Sequence, residues 1–121
     1  LRPIEEAGLE RIRAKSLAMT DFIMRSVDAE LVQLGFAIGT PREPKRRGGH
    51  VSLQHENAQP MSLALRACGV VPDFRKPDVI RLAPSPLYNT FVECWDALQA
   101  LKEIAATRSF EQFEATPALV T

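Results

Sequence analysis

The first 35 residues constrain this chain most, because they read as one helix. Pro3 suits a first helical turn, Glu5 and Glu6 complement the positive end of the helix dipole, and Gly35 supplies a left-handed stop. Between them lie Leu9, Ile12, Leu17, Ile23, Val27, Leu31 and Leu34, with Ser16 and Thr20 in the smaller positions of the same face. Their spacing follows a period near 3.6 and no strand pattern. At ~1.5 Å per residue, some 30 residues make a rod of roughly 45 Å, longer than so small a domain is wide. The rod has to lie along something else.

After Gly35 the pattern changes. Phe36 to Thr40 is a short apolar stretch ended by Pro41. The segment from Pro41 to Gly49 then holds two prolines, two glycines and a net charge of +3, from Arg42, Lys45, Arg46 and Arg47 less Glu43. That composition is a loop. His50 to His55 alternates Val51 and Leu53 with Ser52 and Gln54, the signature of a half-buried strand. Asn57 and Pro60 open a short helix carrying Met61, Leu63, Ala64, Leu65 and Ala67, which Gly69 closes. Val70 and Val71, and later Val79, Ile80, Leu82 and Ala83, read as strands separated by a turn from Asp73 to Asp78. Thr90 and Glu93 match a capping box. The helix they start carries Phe91, Trp95, Leu98, Leu101 and Ile104. This order predicts an α+β fold, a small mainly antiparallel sheet packed against helices, with one face open to a partner.

Composition removes several function classes. In 121 residues, 15 basic side chains balance 15 acidic ones, so no global field gathers nucleic acid or an anionic membrane. No apolar run reaches the roughly 18 to 20 residues needed to cross a bilayer, and the amino terminus lacks the pattern of a signal peptide. The expectation is a cytoplasmic protein that binds neither nucleic acid nor membrane. Cys68 and Cys94 have no partner at metal or redox spacing, and two free, buried thiols are expected.

Arg81 is the residue of most chemical interest. It lies between apolar neighbours in the strand from Val79 to Ala83, at the end that runs into Pro84, Ser85 and Pro86. A guanidinium there can leave the sheet and hold a carboxylate through two parallel hydrogen bonds. The plain alternative is a solvent-facing arginine on an edge strand. The basic loop from Arg42 to Arg47 suits phosphate or RNA, but only Phe36 lies near it, so it lacks the stacking platform of single-strand readers. His50 and His55 leave opposite faces of their strand, which speaks against a shared metal. Ser52, Ser62 and Ser85 lack both the glycine-flanked elbow and an orienting acid of a hydrolase triad. Phe91 and Trp95, at helical spacing, read as core rather than as a ligand box.

One stretch goes further than local physics. The run from Gly69 to Phe91, Gly-Val-Val-Pro-Asp-Phe-Arg-Lys-Pro-Asp-Val-Ile-Arg-Leu-Ala-Pro-Ser-Pro-Leu-Tyr-Asn-Thr-Phe, resembles the carboxy-terminal signature of kynureninases. Arg46-Arg-Gly-Gly-His-Val-Ser-Leu53 is similar to the preceding strand of bacterial members, and Arg13-Ala-Lys-Ser-Leu17 in the opening helix also fits. Gly-Val followed by Asp, then Ile-Arg-Ala-Pro, is shared widely in the small domain of fold-type-I pyridoxal phosphate enzymes, so a cysteine desulfurase-like lyase is the neighbouring alternative. The Ala-Pro-x-Pro-Leu-Tyr-Asn continuation is closer to kynureninase.

The resemblance implies a homodimeric enzyme that hydrolyses L-kynurenine, or 3-hydroxykynurenine, to anthranilate or its 3-hydroxy form and L-alanine. It works in tryptophan catabolism and NAD biosynthesis, with pyridoxal 5'-phosphate as electron sink. It implies that a large domain holds the cofactor while a small domain supplies the carboxylate-binding arginine, which maps onto Arg81. None of Lys15, Lys45, Lys76 and Lys102 stands in the context of the family's Schiff-base lysine. The chain is therefore expected to be a single domain, residues 1–121, forming the C-terminal part of a longer enzyme. Residues 1–35 form a connecting helix and 36–121 the α+β small domain. Alone, it is expected to be inactive.

Overall fold

The computed structural model describes residues 3–46, 48–86 and 89–113. Arg47, Leu87 and Tyr88 lie outside the described residues, as do the side chains of Glu5 and Glu6. The opening helix, α1, runs Pro3–Ser26 and continues through a π turn, Val27–Leu31, and a 3-10 turn, Val32–Leu34. Gly35 ends it at φ 98°, the left-handed conformation that a β-carbon disfavours. Its inner face buries Met19, Ile23, Met24, Val27 and Leu31. Leu9 is 52% exposed, so the apolar stripe finds cover only from Ser16 onward.

Four strands follow: β1 Ala37–Ile38, β2 Val51–Gln54, β3 Asp73–Arg75 and β4 Val79–Leu82. They form one antiparallel sheet in the order β1-β2-β4-β3. Val51, Leu53 and Ile80 point inward and are fully buried against the helices. Helix α2, Ala58–Ala67, packs on β3 and β4, and α1 packs on β2. Helix α3, Phe91–Thr107, lies against α1 and α2. Its capping box forms as expected: Glu93 N–H donates to Thr90 Oγ1 at 3.1 Å and Thr90 N–H donates to Glu93 Oε1 at 2.9 Å. The sheet's other face carries His50, Ser52, Gln54, Asp73, Arg75, Val79 and Arg81, all half-buried or exposed.

Five expectations need correction. Val70 and Val71 form no strand, because Gly69 takes φ 88° and Val70 N–H bonds back to Leu65 O at 2.9 Å, closing α2. The supposed turn from Asp73 to Asp78 contains β3, which pairs with β4 from Asp73 opposite Arg81 to Arg75 opposite Val79. β4 is therefore an interior strand, and Arg81 is not on an edge. Cys68 is exposed beyond the end of α2, while Cys94 is buried. Phe91 and Trp95 are 40% and 41% exposed, resting on half-buried Phe22 with ring centroids 5.7 and 6.5 Å apart. Phe110, fully buried just after α3, fills core that its sequence position did not announce.

His55 joins the end of the long helix to the sheet. Its Nε2 donates to Leu34 O at 2.9 Å, its Nδ1 accepts from Asn57 N–H at 2.9 Å, and its ring packs on Phe36. A β-carbon on Gly35 would sit 3.0 Å from His55 Nε2. Gly35→Ala is thus expected to lower stability by about 1 to 2 kcal/mol from backbone strain alone. A urea midpoint equal to that of the unsubstituted protein would contradict this.

Candidate functional site

The strand that buries Ile80 sends the next side chain, Arg81, to the opposite face. In the β2–β4 register Arg81 faces Ser52, and in the β3–β4 register it faces Asp73. The antiparallel sheet thereby gathers groups from three strands around one guanidinium. Arg81 Nη2 is 3.3 Å from His50 Nδ1, and Nη1 is 3.7 Å from Asp73 Oδ2, beyond hydrogen-bonding distance. The same Asp73 oxygen is held more closely by Arg75, at 3.1 Å from Nε and 2.9 Å from Nη2. Arg81 Nε is shielded from solvent and has no acceptor among the described residues. A shielded donor without a partner is unusual and calls for an explanation.

The Arg81 side chain remains 29% exposed. It is not sealed in the core, and its nearest carboxylate, Asp73 at 3.7 Å, is within ion-pair range but not hydrogen-bonded to it. Its fork retains donors for a small anion, and carboxylate is the group whose geometry that fork matches. Burial, followed by the positive charge of Arg81, holds the His50 imidazole below its ordinary value; Asp73 opposes this and Arg75 adds to it. An uncharged ring leaves Nδ1 bare to accept from Arg81.

The other sequence candidates lie elsewhere. His55 faces the helices and His50 the open sheet face, so the two histidines do not converge. Ser62 is buried and back-bonds to Ala58 O at 2.9 Å. Ser85 is tied to Asn89 by two short bonds, N–H to Oδ1 at 2.7 Å and O to N–H at 2.8 Å. Ser52 shares the Arg81 face, but no serine hydroxyl meets a histidine among the described residues. In the basic loop, Arg42 makes a two-pronged ion pair with Asp28 at 2.8 and 2.9 Å, which holds that carboxyl below its usual range. Arg42 thus ties the loop to the π turn. Burial pushes the Cys94 thiol up, away from the reactive thiolate.

Sequence reasoning found Arg81 but missed Asp73, Arg75 and the role of His50. One signal was present: His50 shares the parity of Ser52 and Gln54 along β2, hence their face. What was hidden was the pairing of β2 with β4. A cavity of about 270 Å³ lined by Ile23, Val70, Leu82, Pro84 and Cys94 lies on the helical side of the sheet, and Arg81 does not line it. Among the described residues no helix is long and apolar enough to cross a membrane, and no group of three or more potential metal ligands occurs.

Comparison with known proteins points one way. A family model described as kynureninase C-terminal domain matches residues 12–101. A kynureninase of Geobacillus thermodenitrificans is 45% identical over 113 residues, covering 93% of this chain and 26% of that protein. A kynureninase of Bacillus thuringiensis is 46% identical over 114 residues, covering 94% of this chain and 27% of its own length. The chain thus spans about a quarter of the curated relatives it matches. Among solved structures, a NifS-like protein superposes with a TM-score of 0.61 over 78% of this chain and 29% of its own, at 18% identity, a likeness of fold alone.

The depressed His50 value has a definite sign. The unfolded chain binds that proton more readily than the folded one, so the stability contributed by the uncharged ring is present above the ordinary value of 6.5 and is lost as pH falls through the lower folded value. In an NMR titration His50 should therefore titrate below 6.5. Arg81→Gln, which removes a like charge, should move it upward. A midpoint above the ordinary value, or one indifferent to that substitution, would contradict the arrangement.

Proposed function

The chain belongs to the kynureninase C-terminal domain family, and from that premise we propose that it is the substrate-anchoring small domain of a pyridoxal-phosphate-dependent kynureninase. The reaction is hydrolysis of L-kynurenine, or of 3-hydroxykynurenine, to anthranilate or 3-hydroxyanthranilate and L-alanine. The enzyme is a cytoplasmic homodimer of tryptophan catabolism, and its large domain lies in the part of the relatives that this chain does not span. One observation carries the assignment to a residue: Arg81 stands on the open polar face with its fork only partly engaged.

Among the described residues there is no set that makes a holding site for pyridoxal phosphate. Lys15 donates to Asn89 O at 3.3 Å, Lys102 pairs with Glu30 at 3.2 Å, and Lys45 and Lys76 are exposed. None is set in a pocket suited to a covalent link with an aldehyde. The groups gathered on the sheet suit the substrate's carboxylate instead. The cofactor therefore belongs to the large domain, and this chain on its own is inactive.

In this reading Arg81 grips the α-carboxylate and fixes how the amino acid lies in the site. Exposed apolar side chains support a docked neighbour: Leu9 on α1, and Phe91, Val92 and Trp95 at the start of α3, are 40% to 67% exposed. They are the surface the large domain would cover.

Losing a desolvated charge pair costs on the order of 2 to 5 kcal/mol, so Arg81→Ala in the full-length enzyme is expected to lower kcat/KM roughly 30-fold to several thousand-fold. Arg81→Lys should recover only part, because an ammonium lacks the planar fork. Steady-state kinetics with L-kynurenine checks both, and an unchanged kcat/KM in Arg81→Ala removes the anchoring role.

A further inference from the structure

His50, the residue just before β2, and Arg81, on β4, stand on the open face, one diagonal step apart when the register that sets Ser52 opposite Arg81 is carried two residues back. Arginine nitrogens only donate, so at 3.3 Å His50 Nδ1 is the acceptor and the ring carries its proton on Nε2. On the other side of the guanidinium, Asp73 is spoken for by Arg75, at 2.9 and 3.1 Å against 3.7 Å to Arg81. His50 therefore makes the one hydrogen bond to the Arg81 guanidinium among the described residues. An arginine has several freely rotating bonds, and immobilising them at the moment of binding weakens affinity. A neighbour that orients the fork beforehand reduces that loss.

We propose, on the basis of the carboxylate-anchoring role argued above, that His50 is a positioning residue for Arg81. Its Nδ1 holds Nη2 and so sets the rotation of the guanidinium plane, leaving the rest of the fork turned toward the substrate's α-carboxylate. Arg75 complements this by keeping Asp73 from closing on the same fork. A half-buried histidine is the suitable partner, because it accepts a hydrogen bond without the negative charge that would compete with a carboxylate substrate.

The test uses the full-length enzyme. His50→Phe keeps a ring but removes the acceptor, and is expected to raise KM for L-kynurenine roughly 5- to 20-fold while kcat changes by less than about 2-fold. His50→Gln, whose amide oxygen can accept, should stay within about 3-fold of the unsubstituted enzyme. The decarboxylated amine analogue of kynurenine, used as a competitive inhibitor, offers Arg81 nothing to grip, so its inhibition constant should be the same with and without His50→Phe. In an Arg81→Ala background, His50→Phe should add no further loss. Equal weakening of the amine analogue, no recovery with glutamine, or losses that add in the double variant would overturn the role of His50. A strong Arg81→Ala effect beside a silent His50→Phe sinks the positioning role only, whereas a silent Arg81→Ala sinks the anchoring reading and this inference with it.

Discussion

The antiparallel pairing of β2 with β4 is the constraint on which the rest depends. Because side chains alternate along a strand, seating Leu53 opposite Ile80 in the core also seats Ser52 opposite Arg81 on the far side. A slip of one residue would bury the guanidinium and expose Ile80. The hydrophobic core and the candidate site are thus set by the same register. Fully burying an isoleucine or a leucine contributes about 1.5 to 3 kcal/mol, enough for a few such residues to hold the register firmly.

The helices enforce that choice from one side only. α1 and α2 pack on the face that carries Val51, Leu53 and Ile80, α3 lies against those two helices, and the long first helix reaches the sheet through His55, whose two ring nitrogens satisfy backbone groups at the helix end and at the turn after β2. Glu30, in the π turn, binds Gln99 at 3.0 Å and Lys102 at 3.2 Å, locking the same helix end to α3. The polar face is left without helical cover. There the charges are arranged by competition: Arg75 draws Asp73 away, and an uncharged His50 takes one edge of the Arg81 fork. Arg81 is left with its nearest carboxylate at 3.7 Å, a looser pairing than the 2.9 Å between Arg75 and Asp73.

Much of the fold was legible before any coordinates. The period of the first helix, Gly35 as its stop, the alternation through β2 and the Thr90 and Glu93 capping box all formed as expected, because each depends on neighbours a few residues away. The errors fell where the partner of a backbone group or side chain decides and the residue's own pattern does not. Val70 was drawn into the close of α2 rather than into a strand, and Asp73 to Arg75 became a strand because β4 offered a partner. Phe91 and Trp95 stayed partly exposed, resting on the half-buried ring of Phe22. Met19 and Met24 stand at helical spacing from Ile23, Val27 and Leu31 and enter the core with them, whereas Phe110, beyond the end of α3, has no periodic signal and entered it through tertiary packing.

The family was readable from residues alone, in the run through Ile80-Arg81-Leu82-Ala83-Pro84 and its continuation, the same run that singled out Arg81. By itself the sequence determined the helices, strands β2 and β4, their order and the residue proposed to bind a carboxylate, since helix periods, caps and alternation are local properties. Only the tertiary structure decided which groups surround that residue. His50 lies 31 residues from Arg81 along the chain, while Asp73 and Arg75 reach it across the β3–β4 hairpin, and the hydrogen bonds between strands bring all of them together. No local pattern encodes that partnership, because strand pairing is chosen by the burial of the opposite face.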